Sequence, residues 1–183
     1  MLKTTLNLYN NNWYKPGAIK MVRAMWFLMN ALFLNSYLYL PFSRHSLLRL
    51  FGAKIGRNVI LKPKINIKYP WNISIGDNSW IGEEVWLDSL GKIEIGNNVC
   101  ISQGAMLLCG NHNYKKSSFD LIVKNIVLED GVWIGAKAII CPGVHCGSHS
   151  VLSVGSVAVN SLDEYSIYQG NPAIKKCNRT ILS

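Results

Sequence analysis

The first 76 residues contain no aspartate or glutamate, although they hold Lys3, Lys15, Lys20, Arg23, Arg44, Arg49, Lys54, Arg57, Lys62, Lys64 and Lys68. The formal net charge of +9 therefore resides in that stretch, and the remainder is slightly acidic. Such asymmetry suits contact with something anionic: a phosphate-bearing ligand, a cytoplasmic membrane surface or nucleic acid. No RNP, helix-turn-helix or zinc-finger pattern occurs, so no nucleic-acid partner is expected. Paired cysteines are missing too. Cys100, Cys109, Cys141, Cys146 and Cys177 are odd in number, form no CxxC motif and follow no secretory signal with a cleavage site. They read as reduced thiols in the cytoplasm. At 183 residues and 49% hydrophobic, the chain suffices for one well-buried domain with at most a helical appendage.

Residues 18–42 are strongly apolar, and Ala24–Phe42 carries no charge. Its length permits a membrane span. Asn30, Asn35 and Ser36 interrupt it, both flanks are basic and Pro41 ends it, which favours helices packed on the domain end or a subunit neighbour over an interfacial membrane helix or a span. A second helix is expected over Ser43–Phe51, stopped by Gly52.

From Ile55 onward the chain repeats itself. Ile55-Gly-Arg-Asn-Val59, Ile75-Gly-Asp-Asn-Ser79 and Ile95-Gly-Asn-Asn-Val99 recur every 20 residues, and within each unit aliphatic positions step by six, as in Ile75, Ile81, Leu87 and Ile93. The step returns at Leu128, Ile134, Ile140, Cys146, Leu152 and Ala158. Six residues match neither an amphipathic helix nor a hairpin; they match short strands joined by tight turns around a three-sided solenoid with a dry interior. Between Leu107 and Leu128 the register slips, through the polar stretch Cys109-Gly-Asn-His-Asn-Tyr-Lys-Lys-Ser-Ser-Phe119. Insertions in solenoids loop out on one face, often the binding face. The expected layout is a basic apolar helical segment over 1–52, a β-solenoid over 53–160 with a loop over 109–126, and a tail over 161–183. His112 in that loop reads either as a base titrating near neutrality or as a solvated loop histidine.

The repeats, the run Val132-Trp-Ile-Gly-Ala-Lys-Ala-Ile-Ile-Cys-Pro-Gly-Val144, the Gly155-Ser156 pair and Gly170-Asn-Pro-Ala173 resemble the hexapeptide-repeat acyltransferases. Tyr69-Pro-Trp-Asn-Ile-Ser-Ile-Gly-Asp-Asn-Ser-Trp-Ile-Gly-Glu83 with Cys100-Ile-Ser-Gln-Gly104 is similar, more narrowly, to the colanic-acid and capsule acetyltransferase branch. The resemblance, which spans 47–176, implies a left-handed parallel β-helix assembled as a homotrimer, with acetyl-CoA held between subunits. The expected reaction is O-acetylation of a sugar in a surface polysaccharide or its lipid-linked precursor, and the basic, apolar N-terminal region points to the inner face of the cytoplasmic membrane as its place. His112 matches the family's catalytic histidine. The backbone amide of Ala136 matches its oxyanion donor. Trp133, Gly135, Ala136, Val154, Gly155 and Ser156 match positions along the pantetheine arm.

The chain departs from the family in four places. Gly82 stands where sugar-acetylating relatives often carry an acceptor-binding Asn, leaving Glu83 to orient the base or bind sugar hydroxyls, unless it is simply a solvated turn carboxylate; Asp88 is a fainter candidate for the same work. Asn160 and Ile174 replace cations common in relatives, so Lys175 and Lys176 become the candidates for the CoA phosphates. Tyr114 stands where close relatives often show Asp, removing a carboxylate that would support the base. Cys141, His145, Cys146 and His149 fall at different places in the repeat frame, so no metal site is expected. Two other functions compete: N-acetylation of an amino sugar, and a scaffold without catalysis.

Overall fold

The computed structural model describes residues 3–37 and 43–182. From Lys54 onward the chain winds as a parallel β-helix of about six turns. Face one stacks Lys54–Ile55, Ile73–Ile75, Ile93–Ile95, Ile126–Leu128 and His145–Cys146. Face two stacks Ile60–Leu61, Trp80–Ile81, Cys100–Ile101, Trp133–Ile134 and Val151–Leu152; face three stacks Asn66–Ile67, Trp86–Asp88, Met106–Leu108, Ile139–Ile140 and Val157–Ala158.

The six-residue step thereby becomes three inward columns. Leu61, Ile81, Ile101, Ile134 and Leu152 are paired in register down face two, and from Ile81 to Leu152 they have no exposed surface. Each such side chain contributes about 1.5–3 kcal/mol by leaving water.

The corners explain the residues between the columns. At corner one, between faces one and two, Asn58, Asn78 and Asn98 adopt φ of 55°, 58° and 54°, a left-handed conformation that asparagine tolerates better than most residues. Asn58 Nδ2 donates to Asn78 Oδ1 at 3.1 Å. At corner two, between faces two and three, the left-handed position passes through Lys64, Glu84, Gly104, Lys137 and Gly155. Corner three, between faces three and one, is where the first two turns are longer, and there the insertion leaves the helix.

That insertion is more ordered than the expected loop over 109–126. Gly110–His112 pairs antiparallel with Leu121–Val123, setting His112 opposite Leu121. The apolar, partly β-branched run Leu121-Ile122-Val123 supplies the second strand of this arm. The segment 161–183 likewise differs from the tail expected there. Ser166–Gly170 extends face two beside Val151–Leu152, then pairs antiparallel with Ala173–Asn178. An antiparallel hairpin has no six-residue period, so the repeat pattern could not announce it.

Helix α1 (Lys20–Met29) runs on into a π-helical turn at Asn30–Leu34, and α2 (Arg44–Leu50) starts at Ser43, whose Oγ accepts from the Ser46 N–H at 3.2 Å. Gly52 at φ +88° follows α2, matching the expected stop. Trp26 anchors α1 on the β-helix: it is buried, donates from Nε1 to the Ile67 carbonyl at 2.9 Å and packs on Phe51. Part of the charge-free run, residues 38–42, lies outside the described residues. Among the described residues no helix is long and apolar enough to cross a membrane.

Candidate active site

His112 ends the first strand of the arm, and its Nδ1 lies 2.9 Å from the Phe119 carbonyl. Phe119 takes a left-handed φ of 52°, and its ring stacks on the imidazole at 4.5 Å and 6°. A carbonyl can only accept, so this contact makes Nδ1 a protonated nitrogen, and in the neutral ring the lone pair is then on Nε2. The support that Tyr114 cannot give is thus supplied by a main-chain carbonyl seven residues on. Glu83 does not orient this histidine within the chain, because the Nδ1 position is taken by Phe119.

Corner two carries the other expected residues. Gly135 is pressed against the next turn, since a Cβ there would lie 2.5 Å from the Val154 nitrogen. The Ala136 carbonyl accepts from the Gly155 N–H at 2.9 Å, whereas the Ala136 N–H has no acceptor among the described residues. The amides of Glu83, Gln103 and Val154, at the same place in neighbouring turns, are equally free, and Pro63 heads the column without an N–H. Val154 is exposed. A Cβ on Gly155 would meet nothing within 4 Å. Trp133 is half exposed, with Nε1 donating to Ser102 Oγ at 3.0 Å. The result is an exposed edge of unpaired donors flanked by an indole.

Other expected residues are less available. Ser156 is buried and its Oγ accepts from the Gly170 N–H at 3.0 Å, so the hydroxyl ties the terminal hairpin to corner two. Lys175 is paired with Asp163 at 3.1 Å, and Lys176 is exposed on the same strand. Glu83 is exposed and lines a groove of about 370 Å³ with Trp80, Cys100 and Gln103. Within one chain, corner two and the His112 arm lie at opposite edges of face three.

The sequence reading missed the N-terminal wall of a second cavity. A cleft of about 680 Å³ opens at corner three beside His112, between the β-helix and residues 9–23. Tyr9, Tyr14, Lys20 and Arg23 come from the N-terminal segment, and Lys68, Tyr69 and Leu90 from the helix. The wall is fastened on both sides. The Thr5 N–H donates to the Ser117 carbonyl at 2.8 Å, the Tyr14 hydroxyl to the Leu90 carbonyl at 2.8 Å, and Trp71 Nε1 to the Pro16 carbonyl at 2.7 Å. Asp88, the fainter candidate, is buried at this corner, with an oxygen 3.2 Å from Lys68 Nζ in an ion contact off hydrogen-bond geometry. Burial, reinforced by Tyr69 and Asp88, pushes the Tyr14 hydroxyl well above its ordinary value. The clustering of Tyr9, Asn10, Asn11, Asn12 and Tyr14 was the available signal.

The cysteines offer no nucleophile near this cleft. Burial pushes the Cys109 thiol, at the root of the arm, up to about 12 and so keeps it protonated near neutrality. Among the described residues no group of His, Cys, Asp and Glu is placed to hold a metal ion.

No protein-family model matches the chain. A protein of Escherichia coli K12 named as colanic acid biosynthesis acetyltransferase WcaF is 35% identical over 161 residues, covering 88% of each chain. The galactoside O-acetyltransferase of the same organism is 28% identical over 132 residues, covering 70% of this chain and 65% of its own. The hexapeptide-repeat acetyltransferase VCA0836 of Vibrio cholerae, solved with acetyl-CoA, superposes with a TM-score of 0.80 at 24% identity, over 89% of this chain and 90% of that one. The chain belongs to the hexapeptide-repeat acetyltransferases, in the branch of the colanic-acid biosynthesis enzymes.

Proposed function

We propose that the protein moves the acetyl group of acetyl-CoA directly to a sugar hydroxyl, with His112 as general base. The observation that carries this reading is the hydrogen bond that puts the proton of the neutral His112 ring on Nδ1, so that Nε2 is the nitrogen free to accept one beside the cleft. The hydroxyl oxygen attacks the thioester carbon while its proton passes to Nε2. A tetrahedral oxyanion forms, with the Ala136 N–H as its donor. The C–S bond then breaks and the CoA thiolate takes the proton from the imidazolium, which restores neutral His112 and releases the acetyl ester and CoA thiol. The pantetheine arm, which carries two amide groups, lies along the unpaired N–H column of corner two beside Trp133, Val154 and Gly155, with Lys175 and Lys176 toward its phosphates.

Because the arm and corner two occupy opposite edges of face three, the reaction needs one subunit's His112 to meet a neighbour's corner two. A cyclic homotrimer provides that meeting three times over, and light scattering tests it. The acceptor belongs to a surface polysaccharide or its lipid-linked precursor. Exposed Met21, Met25, Phe27 and Leu28 on α1, in an acid-free and basic stretch, support contact with the inner face of the cytoplasmic membrane. Absence of co-sedimentation with anionic liposomes removes that contact alone.

Thiol release from acetyl-CoA, measured with hydroxy and amino sugars in pairs, tests the chemistry. Acceptor-dependent release that falls about 10²-fold or more in His112→Ala sustains the base. Full activity in the variant refutes it, and preference for the amino sugar redirects the reading to N-acetylation.

A further inference from the structure

We propose that the acceptor sugar carries an anionic group, a carboxylate or a phosphate, which Lys20 and Arg23 receive in the cleft beside His112. This rests on the acetyl-transfer reading above and adds the charge of the acceptor. The cleft's charges do not balance. Among the described residues Lys20, Arg23 and Lys68 line it and no Asp or Glu does, and the buried Asp88 at the same corner is in ion contact with Lys68. Neither Lys20 nor Arg23 has an ion-pair partner among the described residues. The wall that presents them belongs to the first 76 residues, which supply no acid to neutralise them.

Arg23 adds a second, independent observation. Its Nε is shut off from solvent and has no hydrogen-bond partner, a state that costs about 1–3 kcal/mol for a buried donor and more for a charged one. The terminal nitrogens of that guanidinium are not shut off and have no partner among the described residues, so a carboxylate or phosphate oxygen in the cleft engages them in a forked contact that a neutral hydroxyl matches poorly. Tyr9 and Tyr69 give apolar ring surface for a sugar, and about 680 Å³ lies in the range of pockets that enclose drug-sized ligands, so a sugar and its charged group fit together. The anion seated at α1 sets which hydroxyl of the ring reaches Nε2 of His112.

Calorimetric titration of the full chain, with CoA saturating so that phosphates cannot enter the donor site, separates the cases. Glucose, glucuronate and glucose 1-phosphate serve as probes, against wild type, Arg23→Gln and Lys20→Gln, with the thermal midpoint of each variant as the folding control. The expected result is at least tenfold tighter binding of one or both anions than of glucose, with that advantage lost in a variant that melts like wild type. Which anion wins distinguishes a uronate-bearing acceptor from a sugar phosphate. Equal affinities, no binding of any probe, or an anion preference that survives in both variants overturns the proposal. His112→Ala keeps the anion preference while losing transfer, so failure of the base and failure of the anion site are read separately.

Discussion

At corner one the amides of Arg57, Asp77 and Asn97 are taken by side-chain oxygens of Asp77, Asn97 and Asp130, at 2.8, 2.8 and 2.7 Å. At corner two the equivalent amides of Glu83, Gln103, Ala136 and Val154 find no acceptor among the described residues. The two corners share one backbone turn, with a left-handed residue at the same place, so the difference lies in the side chain two places after the core position. Asp and Asn are short enough to reach the amide of the preceding turn. Glu, Gln, Ala and Val at corner two do not do so. A peptide N–H is an obligatory donor, and a column of them left to solvent is available for the carbonyls of a bound thioester and its amide arm. From Arg57 to Asn97 corner one commits these amides to side chains of the next turn; corner two joins its turns through other backbone bonds and leaves these amides free.

The sharpest way to break this contrast is to remove one donor without disturbing the fold. Ala136→Pro deletes the N–H, and the denaturant midpoint measured beside turnover shows whether the turn accommodates the ring. The expected outcome is a fall in kcat of about 10²–10³, with a denaturant midpoint close to wild type. Unchanged turnover in a folded Ala136→Pro enzyme removes the oxyanion role from corner two.

Much of this was legible in the sequence and some was not, for physical reasons. The columns were readable because a six-residue aliphatic step has one economical geometry, and Ile81, Ile101 and Ile134 take the inward places that it assigns. The α2 boundaries were readable because Ser43 and Gly52 act locally, as cap and stop. His112 could be singled out by its place in the insertion, but not its partner: Phe119 acts through a carbonyl, which every residue has, and only the hairpin brings it to Nδ1. The N-terminal wall of the cleft was hidden because residues 9–23 have no periodicity and reach the site by contacts remote in sequence, such as Tyr14 to Leu90.

Steric tests extend the comparison with smaller effects. Gly76 sits where turns of corner one press together, and a Cβ there would lie 2.6 Å from the Gly96 backbone. Gly76→Ala therefore costs about 1–3 kcal/mol in chemical denaturation. Gly155 at corner two has open space around its missing Cβ but a φ of +64°, so Gly155→Ala meets only the left-handed penalty of about 1 kcal/mol, a conformation Lys64, Glu84 and Lys137 already tolerate. If Gly155→Ala proves the more damaging, the left-handed position of corner two lacks the open space around it that the structure shows.

Side-chain truncation is weaker still. Asn97 accepts from the Asp77 N–H and donates to Asp130, so Asn97→Ala forfeits about 1 kcal/mol. Gln103→Ala, one corner away, leaves stability within about 0.5 kcal/mol. Equal losses at both sites in matched melts contradict the division between a bonded and an unbonded corner.

The smallest effect is in the pH dependence of corner one. Hydrogen bonds from the Arg57 N–H and then from its guanidinium hold the Asp77 carboxyl below the ordinary carboxylate range. A folded-state value lower than the unfolded one means that the stabilisation is fully present above the unfolded carboxylate pKa, about 4, and is lost as pH falls through the depressed folded value. Asp77→Asn keeps an Oδ1 acceptor for the Arg57 N–H, as Asn97 does one turn later, but does not titrate. It is therefore expected to match or slightly trail wild type in denaturant midpoint at pH 7, because the Arg57 pair is exposed and weak, and to lose less stability between pH 5 and pH 3. Parallel acid slopes for the two proteins would mean that corner one is held by the acceptor geometry alone, with the charge of Asp77 contributing nothing measurable.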